Sequence, residues 1–436
     1  YISTLCLSLL AGPAAAQQPE APTSAPSSQP DAPGSELFEA PEAPEAPASK
    51  AYKPPRLGPI SIKSKDGNTK LSLGFAGQLR FSVKSKDPGG GGERDTAAEV
   101  VARRLRPTFR GTVLSPDLGY YFHLSTTPGS LEFMDLYLDY RLTDSFRFRL
   151  GQWKVPFTRD RIRSFKALTL ADWAVTAKYF GAERQIGVAM HNGYEKHGAF
   201  EYEIGLFTGV NARKSHATGL ASIFGEKLSN PSDLFDPAAP ADLHPELVGH
   251  VAYNGGGINT ATDTDWAGSG FRYSVGLSMA WDLNADIYQD LTLRLAPEVL
   301  IKWRGLSAFA VFYMGFTRLS EDSVLDQRLD LLGGLLQASY LFFRRVEIAA
   351  RYAVVHADDS LLTSARARAK SLVANEADAD KKKALAAQYK NAGKLQTQQD
   401  VTFGVNVYIR GNSLKWQNDL TVSMLDRVDG KRTNVT

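Results

Sequence analysis

Between Leu131 and Arg163 the chain reads LEFMDLYLDYRLTDSFRFRLGQWKVPFTRDRIR, and its apolar residues recur at every second position. Met134, Leu136, Leu138, Tyr140 and Leu142 fall on one face, and Asp135, Tyr137, Asp139 and Arg141 on the other. After Thr143-Asp144-Ser145 the alternation resumes, with Phe146, Phe148 and Leu150 set against Arg147, Arg149 and Gly151. Side chains of a strand point to opposite faces with period two, so the stretch predicts a β-hairpin with one greasy and one charged face. Repeated arginines facing a dry core would be ruinous. They are tolerable where that face meets water, as it does inside a membrane barrel with a polar lumen.

Composition allows this and does not force it. The 436 residues are ample for a large barrel. Hydrophobic residues make up 43%, yet after the first few positions no apolar run reaches the ~18 residues of a transmembrane helix. Alternating strands give such a modest average, because half of each strand is polar. A soluble β-sandwich or β-propeller would give it too. The net charge of +3 says little about partners.

Ile2 to Ala16 (ISTLCLSLLAGPAAA) joins an apolar run to an Ala14-Ala15-Ala16 cleavage site. With no initiator Met and no basic leader, residues 1–16 read as part of a signal peptide. The single cysteine, Cys6, falls there, which suits an exported bacterial barrel without disulfides. Residues 17–55 are rich in Pro, Ala, Glu and Ser and predict an extended linker. It is either a passive spacer or a tether to the cell wall or a periplasmic partner.

From Lys70 onward the alternation persists, making 70–436 the barrel. Strands are expected at 70–83, 99–114, 117–127, 131–142, 145–153, 184–191, 199–209, 245–254, 271–283, 290–303, 305–317, 328–342, 345–357, 398–410 and 413–425. Tight connections (Ser115-Pro116-Asp117, Thr143-Asp144-Ser145, Arg304-Gly305, Phe343-Arg344-Arg345, Gly411-Asn412) largely alternate with long ones (84–98, 154–183, 210–244, 318–327, 358–397). That asymmetry fits short periplasmic turns and long outer loops. The stretch 255–270 breaks it, being long where a short turn is due. The strand count is odd, whereas a closed antiparallel barrel needs an even one. A last strand is therefore either absent from the sequence or hidden by a wrong assignment. Residues 361–394, rich in Ala, Lys and Arg, favour helix within an outer loop.

Parity sorts the charges. Arg80, Arg104, Arg106, Arg110, Arg141, Arg147, Arg149, Arg272, Arg294, Lys302 and Arg351 take the inward face, against fewer acids: Asp135, Asp139, Glu298 and Glu347. A cationic lumen selects anions, and the planar arginine fork suits oxyanions. Lys154, Arg159, Arg161, Arg163 and Lys166 follow in a long loop that would sit at a constriction if folded inward, with Asp160 and Asp172 expected to pin them. An enzyme is not indicated. His123 and Ser125 share a strand face without an evident acid partner, the seven histidines are scattered, and Gly89 to Gly92 is a loop tip rather than a phosphate loop. No cofactor is implied.

The motifs RLRPTFRG, DLYLDYRL, RLGQWKVPFTRDRIRS and ERQIGVAM resemble the phosphate-selective porin O and P family over residues 100 to 190. The resemblance implies a sixteen-stranded outer-membrane barrel, usually a homotrimer among lipid and lipopolysaccharide. It also implies an inward loop and a basic ladder that binds phosphate or polyphosphate. Arg104, Arg106, Arg110 and Lys154 match the family motif by position; Arg159, Arg161 and Arg163 lie in the corresponding loop. The anion path is thus expected at Arg80, Arg104, Arg106, Arg110, Arg147, Arg149, Lys154, Arg159, Arg161, Arg163 and Lys166. A general or sugar-type porin and an outer-membrane interaction scaffold are the alternatives.

Overall fold

The computed structural model describes residues 6–10, 60–87, 93–127, 130–193, 198–208, 223, 245–283, 291–318 and 326–436. The linker 17–55 and the loop tip at Gly89 to Gly92 lie outside them. Two short strands come first, β1 (Cys6–Leu10) and β2 (Ile60–Lys63). The long strands are β3 (Lys70–Asp87), β4 (Asp95–Val113), β5 (Ser115–Thr127), β6 (Ser130–Thr143), β7 (Phe146–Lys154), β8 (Arg184–His191), β9 (Phe200–Phe207), β10 (Glu246–Gly255), β11 (Arg272–Asp282), β12 (Leu291–Trp303), β13 (Leu306–Arg318), β14 (Gln327–Phe342), β15 (Val346–Ala357), β16 (Leu395–Tyr408) and β17 (Leu414–Arg427). Each pairs with the next, and every strand expected from the alternation is present with its ends moved by a few residues.

The sixteenth position, between β17 and β3, is shared by short pieces. β1 lies antiparallel to both neighbours, opposite Leu414 to Gln417 and Ala76 to Arg80. At the other end β18 (Arg432–Val435) pairs with Ser423 to Asp426 and with Lys86 and Asp87. The result is a closed antiparallel sixteen-strand barrel. The odd count from sequence is explained: β18 is too short to show a period, and β1 falls in the segment read as a signal peptide.

Local chemistry sets the strand ends. Arg304 and Gly305 both adopt positive φ, as do Phe343 and Arg344. Two left-handed residues in a row give the hairpin turn whose twist matches that of the flanking strands. The opening alternation slips once. His123 opposes Asp135 and Leu124 opposes Phe133, so Met134 is an extra residue, a β-bulge, and is buried rather than facing outward. Beyond it, Leu136, Leu138, Tyr140 and Leu150 are exposed on the outer wall, as a lipid-facing band requires.

The interior is filled unevenly. The loop 155–183 carries α1 (Arg159–Ile162) and α2 (Thr176–Phe180) and runs inside the barrel to the opposite wall. Its Val155, Phe157, Val175, Tyr179 and Phe180 join a buried apolar cluster with Val248, Ala280, Leu300, Tyr313, Leu331 and Leu335 of β10 to β14. The outer connection after β15 forms α3 (Asp359–Asn375) and α4 (Ala379–Gln388), and Leu361, Leu362 and Ala365 of α3 extend the same cluster. The long stretch 256–271 folds inward from the short-turn end and meets the loop where Asp263 N donates to the Ala167 carbonyl at 3.1 Å.

Candidate permeation site

The motif GQWKVPF launches the loop. Gly151 has φ +136°, and a Cβ there would come within 2.2 Å of the Leu136 carbonyl oxygen, so only glycine fits. Gln152 donates to the carbonyls of Phe133 and Met134 at 2.9 and 3.0 Å and so satisfies the bulge. Trp153 Nε1 donates to Glu203 at 2.9 Å. Lys154 Nζ donates to the carbonyls of Arg161 and Arg163 at 3.0 and 2.7 Å, capping the end of α1. Pro156 has no amide hydrogen to leave unpaired at the strand exit.

The basic residues divide into two groups. The first is locked into ion pairs. Arg159 is buried and bonds Glu201 and Glu298, each at 3.1 Å, with Ser274 at 3.3 Å. Arg163 is equally buried, pairs with Asp263, donates to the Thr260 carbonyl at 3.1 Å and lies 4.7 Å from the Phe309 ring. Arg149 meets Asp139 at 2.9 Å and Glu203 at 3.3 Å, while Arg147 reaches Asp139 only at 3.9 Å. Arg294 pairs with Glu246 and Arg272 with Asp265.

The second group gathers around two loop aromatics. Arg104 and Arg106 lie 5.1 and 5.0 Å from the Phe165 ring centre. Arg104, Lys154 and Arg161 lie 5.2, 4.8 and 4.6 Å from that of Trp173. Asp172 bridges Arg80 and Arg104 at 2.7 and 2.8 Å; Glu183 pairs with Arg161, and Asp135 with Arg184 at 2.8 Å. Six cations (Arg80, Arg104, Arg106, Lys154, Arg161 and Arg184) thus face three carboxylates. Burial alone would raise the loop acids, but Arg80 and Arg104 hold the Asp172 carboxyl below its ordinary range, and Arg161 does the same for Glu183. Three buried donors here, Arg106 Nε, Arg161 Nη1 and Trp173 Nε1, have no acceptor among the described residues. Arg110 lies half-buried on the same strand face, and Lys166 follows Phe165 in the loop.

Some expectations need correction. Inward acids are not scarce: Glu201, Glu203 and Glu246 are buried on β9 and β10 beside the four foreseen. The alternation Phe200-Glu201-Tyr202-Glu203 carried that signal. Asp172 pins wall arginines rather than those of its own loop, while buried Asp160 has no partner for Oδ2 among the described residues. His123 does have an acid partner: its Nδ1 lies 2.6 Å from Asp135, which Arg184 shares. Phe165 and Trp173, the centre of the basic group, were missed, because which aromatics a loop turns toward a wall depends on its path through space.

No curated protein matches the chain. Among solved structures it is similar to the outer membrane channel DcaP of Acinetobacter baumannii (12% identity, 86% of this chain and 97% of that one, TM-score 0.45). OprB of Pseudomonas putida is similar too (12%, 85% and 93%, 0.47), as is an anion-selective porin from Comamonas acidovorans (11%, 84% and 97%, 0.44). Residues 76–226, which span the candidate site from Arg80 to Arg184, match the family model of phosphate-selective porin O and P, the family that the motifs resemble.

Proposed function

We propose that this protein is an outer-membrane porin that conducts small anions, phosphate or polyphosphate among them, along the gap between the inward loop and the β3–β8 wall. The observation that carries this reading is the excess of cations over carboxylates beside Phe165 and Trp173, where Arg80, Arg104, Arg106, Lys154, Arg161 and Arg184 face Asp135, Asp172 and Glu183. A hydrogen bond from such a cation to a passing oxyanion contributes about 1.5–3 kcal/mol, offset in part by the carboxylates beside it. A partial gain is what conduction requires, since an ion held at full strength would not leave. The reading is therefore a channel rather than an enzyme. Assembly as a homotrimer among lipid and lipopolysaccharide rests on the family resemblance.

The test is reversal potential across a planar bilayer, followed by titration of phosphate into chloride. Anion preference with phosphate block of the chloride current is expected. Cation preference, or chloride current indifferent to phosphate, sinks the reading in favour of a general porin.

A further inference from the structure

The stretch 256–271 is the one connection whose length breaks the short-turn pattern, and its contacts give it a task. Lys302 Nζ donates to the carbonyls of Asn259, Thr262 and Thr264 at 2.8, 2.6 and 3.2 Å, gathering the stretch around one buried ammonium. Next to Asp263, Asp265 holds Arg272 at 2.7 Å and accepts from the Gly305 amide at 2.8 Å, while Thr264 reaches Glu347 at 3.3 Å and Tyr408 at 3.0 Å. Its tip is therefore tied to the walls at β11, β12, β15 and β16. From that fixed tip Asp263 reaches the inward loop. Its carboxylate pairs with Arg163, accepts from the Thr169 amide at 3.0 Å and takes a further hydrogen bond from Gln337 at 3.2 Å, while its own amide bonds the Ala167 carbonyl.

Arg163 and Thr169 flank Phe165, Lys166 and Ala167, the part of the loop that carries the ring facing Arg104 and Arg106. The loop springs from β7 and returns to β8, so its far bend depends on contacts made across the lumen. We infer that 256–271 is an internal strut and that Asp263 is a positioning residue: it fixes the far bend from the opposite end of the barrel and so sets how closely Phe165 approaches Arg104 and Arg106. The inference rests on the proposed path beside that ring. Asp263 does not touch the permeating ion.

The test uses the full chain, with barrel formation checked by heat-modifiable mobility. Asp263→Asn is expected to raise single-channel conductance about twofold and to add open-channel noise, with the sign of the reversal potential unchanged. In a Cys6→Ser background, Ala167→Cys with Asp263→Cys replaces the carboxylate by a disulfide between two segments already joined through the backbone. Oxidised, this channel should conduct like the parent; reduced, it should conduct like Asp263→Asn. If Asp263→Asn does not form a barrel, the double variant folded oxidised and then reduced gives the same readout. Conductance that is unchanged on reduction overturns the strut. A cation-preferring parent overturns the anion path instead, and conductance alone still decides the strut.

Discussion

At the scale of single residues, cations do opposite things a few positions apart. Arg159 and Arg161 sit in one short helix, yet Arg159 is sealed between buried Glu201 and Glu298 while Arg161 pairs with the partly exposed Glu183 and lies against Trp173. A cation beside an aromatic face gains about 0.5–2 kcal/mol of attraction and keeps its charge, and a single partly exposed carboxylate leaves it donors for a second anion. Trp173→Phe keeps a ring and removes the indole donor; it should weaken phosphate block by about tenfold, the value of one hydrogen bond to a charged group, with conductance nearly unchanged. Block titration of the variant decides this, and an unaltered block would show that Nε1 is not used. Gly151→Ala forces a Cβ onto the Leu136 carbonyl at a positive φ and should cost about 2 kcal/mol or more, read as a lower denaturant midpoint in detergent.

At the scale of elements, the strands were legible and the loop's docking was not. Strand pairing follows from a local period, and a one-residue slip would turn the apolar set inward, so register is strongly specified. The bulge at Met134 escaped because the alternation reads continuously across it, and only the opposing strand shows that two residues face one. Loop docking instead depends on Glu201, Glu298, Asp263 and Asp419, which come from distant parts of the chain. The docked loop carries one titrating weakness. Burial pushes the Asp160 carboxyl from its ordinary value of 3.8 up to about 6, despite the nearby Arg351, Arg163 and Arg161 and with Asp263 adding to the rise. A raised acid favours the docked state most when protonated. That contribution is full below about pH 4 and is lost as pH rises through 6. Open-channel noise should therefore grow between pH 5 and 7, and Asp160→Asn should flatten the change. Noise that falls over this range would contradict the assignment.

Across the whole molecule, a net charge of only +3 coexists with a local excess of cations beside Phe165 and Trp173, because acids and bases are sorted by location as well as by number. Bulk charge was silent on function for that reason, and face-by-face parity was the informative reading. Exposed charges are screened beyond about 10 Å at 0.1 M salt, but partly buried ones much less. The anion preference should therefore persist when reversal potentials are taken from 0.1 to 1 M potassium chloride, about the ionic range at which a surface-charge effect fades. A preference that collapses by 1 M would move the selective charges to the outer rim.

The shared sixteenth position also bears on how such a wall fails. Its neighbours are bridged at Leu414 to Gln417 and again at Ser423 to Asp426 by separate short strands rather than by one continuous ladder. In hydrocarbon an unpaired peptide group has no water to turn to, so a ladder normally holds or lets go as a unit. A ladder made of pieces can let go piece by piece. The β3–β17 line is thus the natural zip of this cylinder, where amide exchange should begin and from which heat or force would peel the wall open into a sheet.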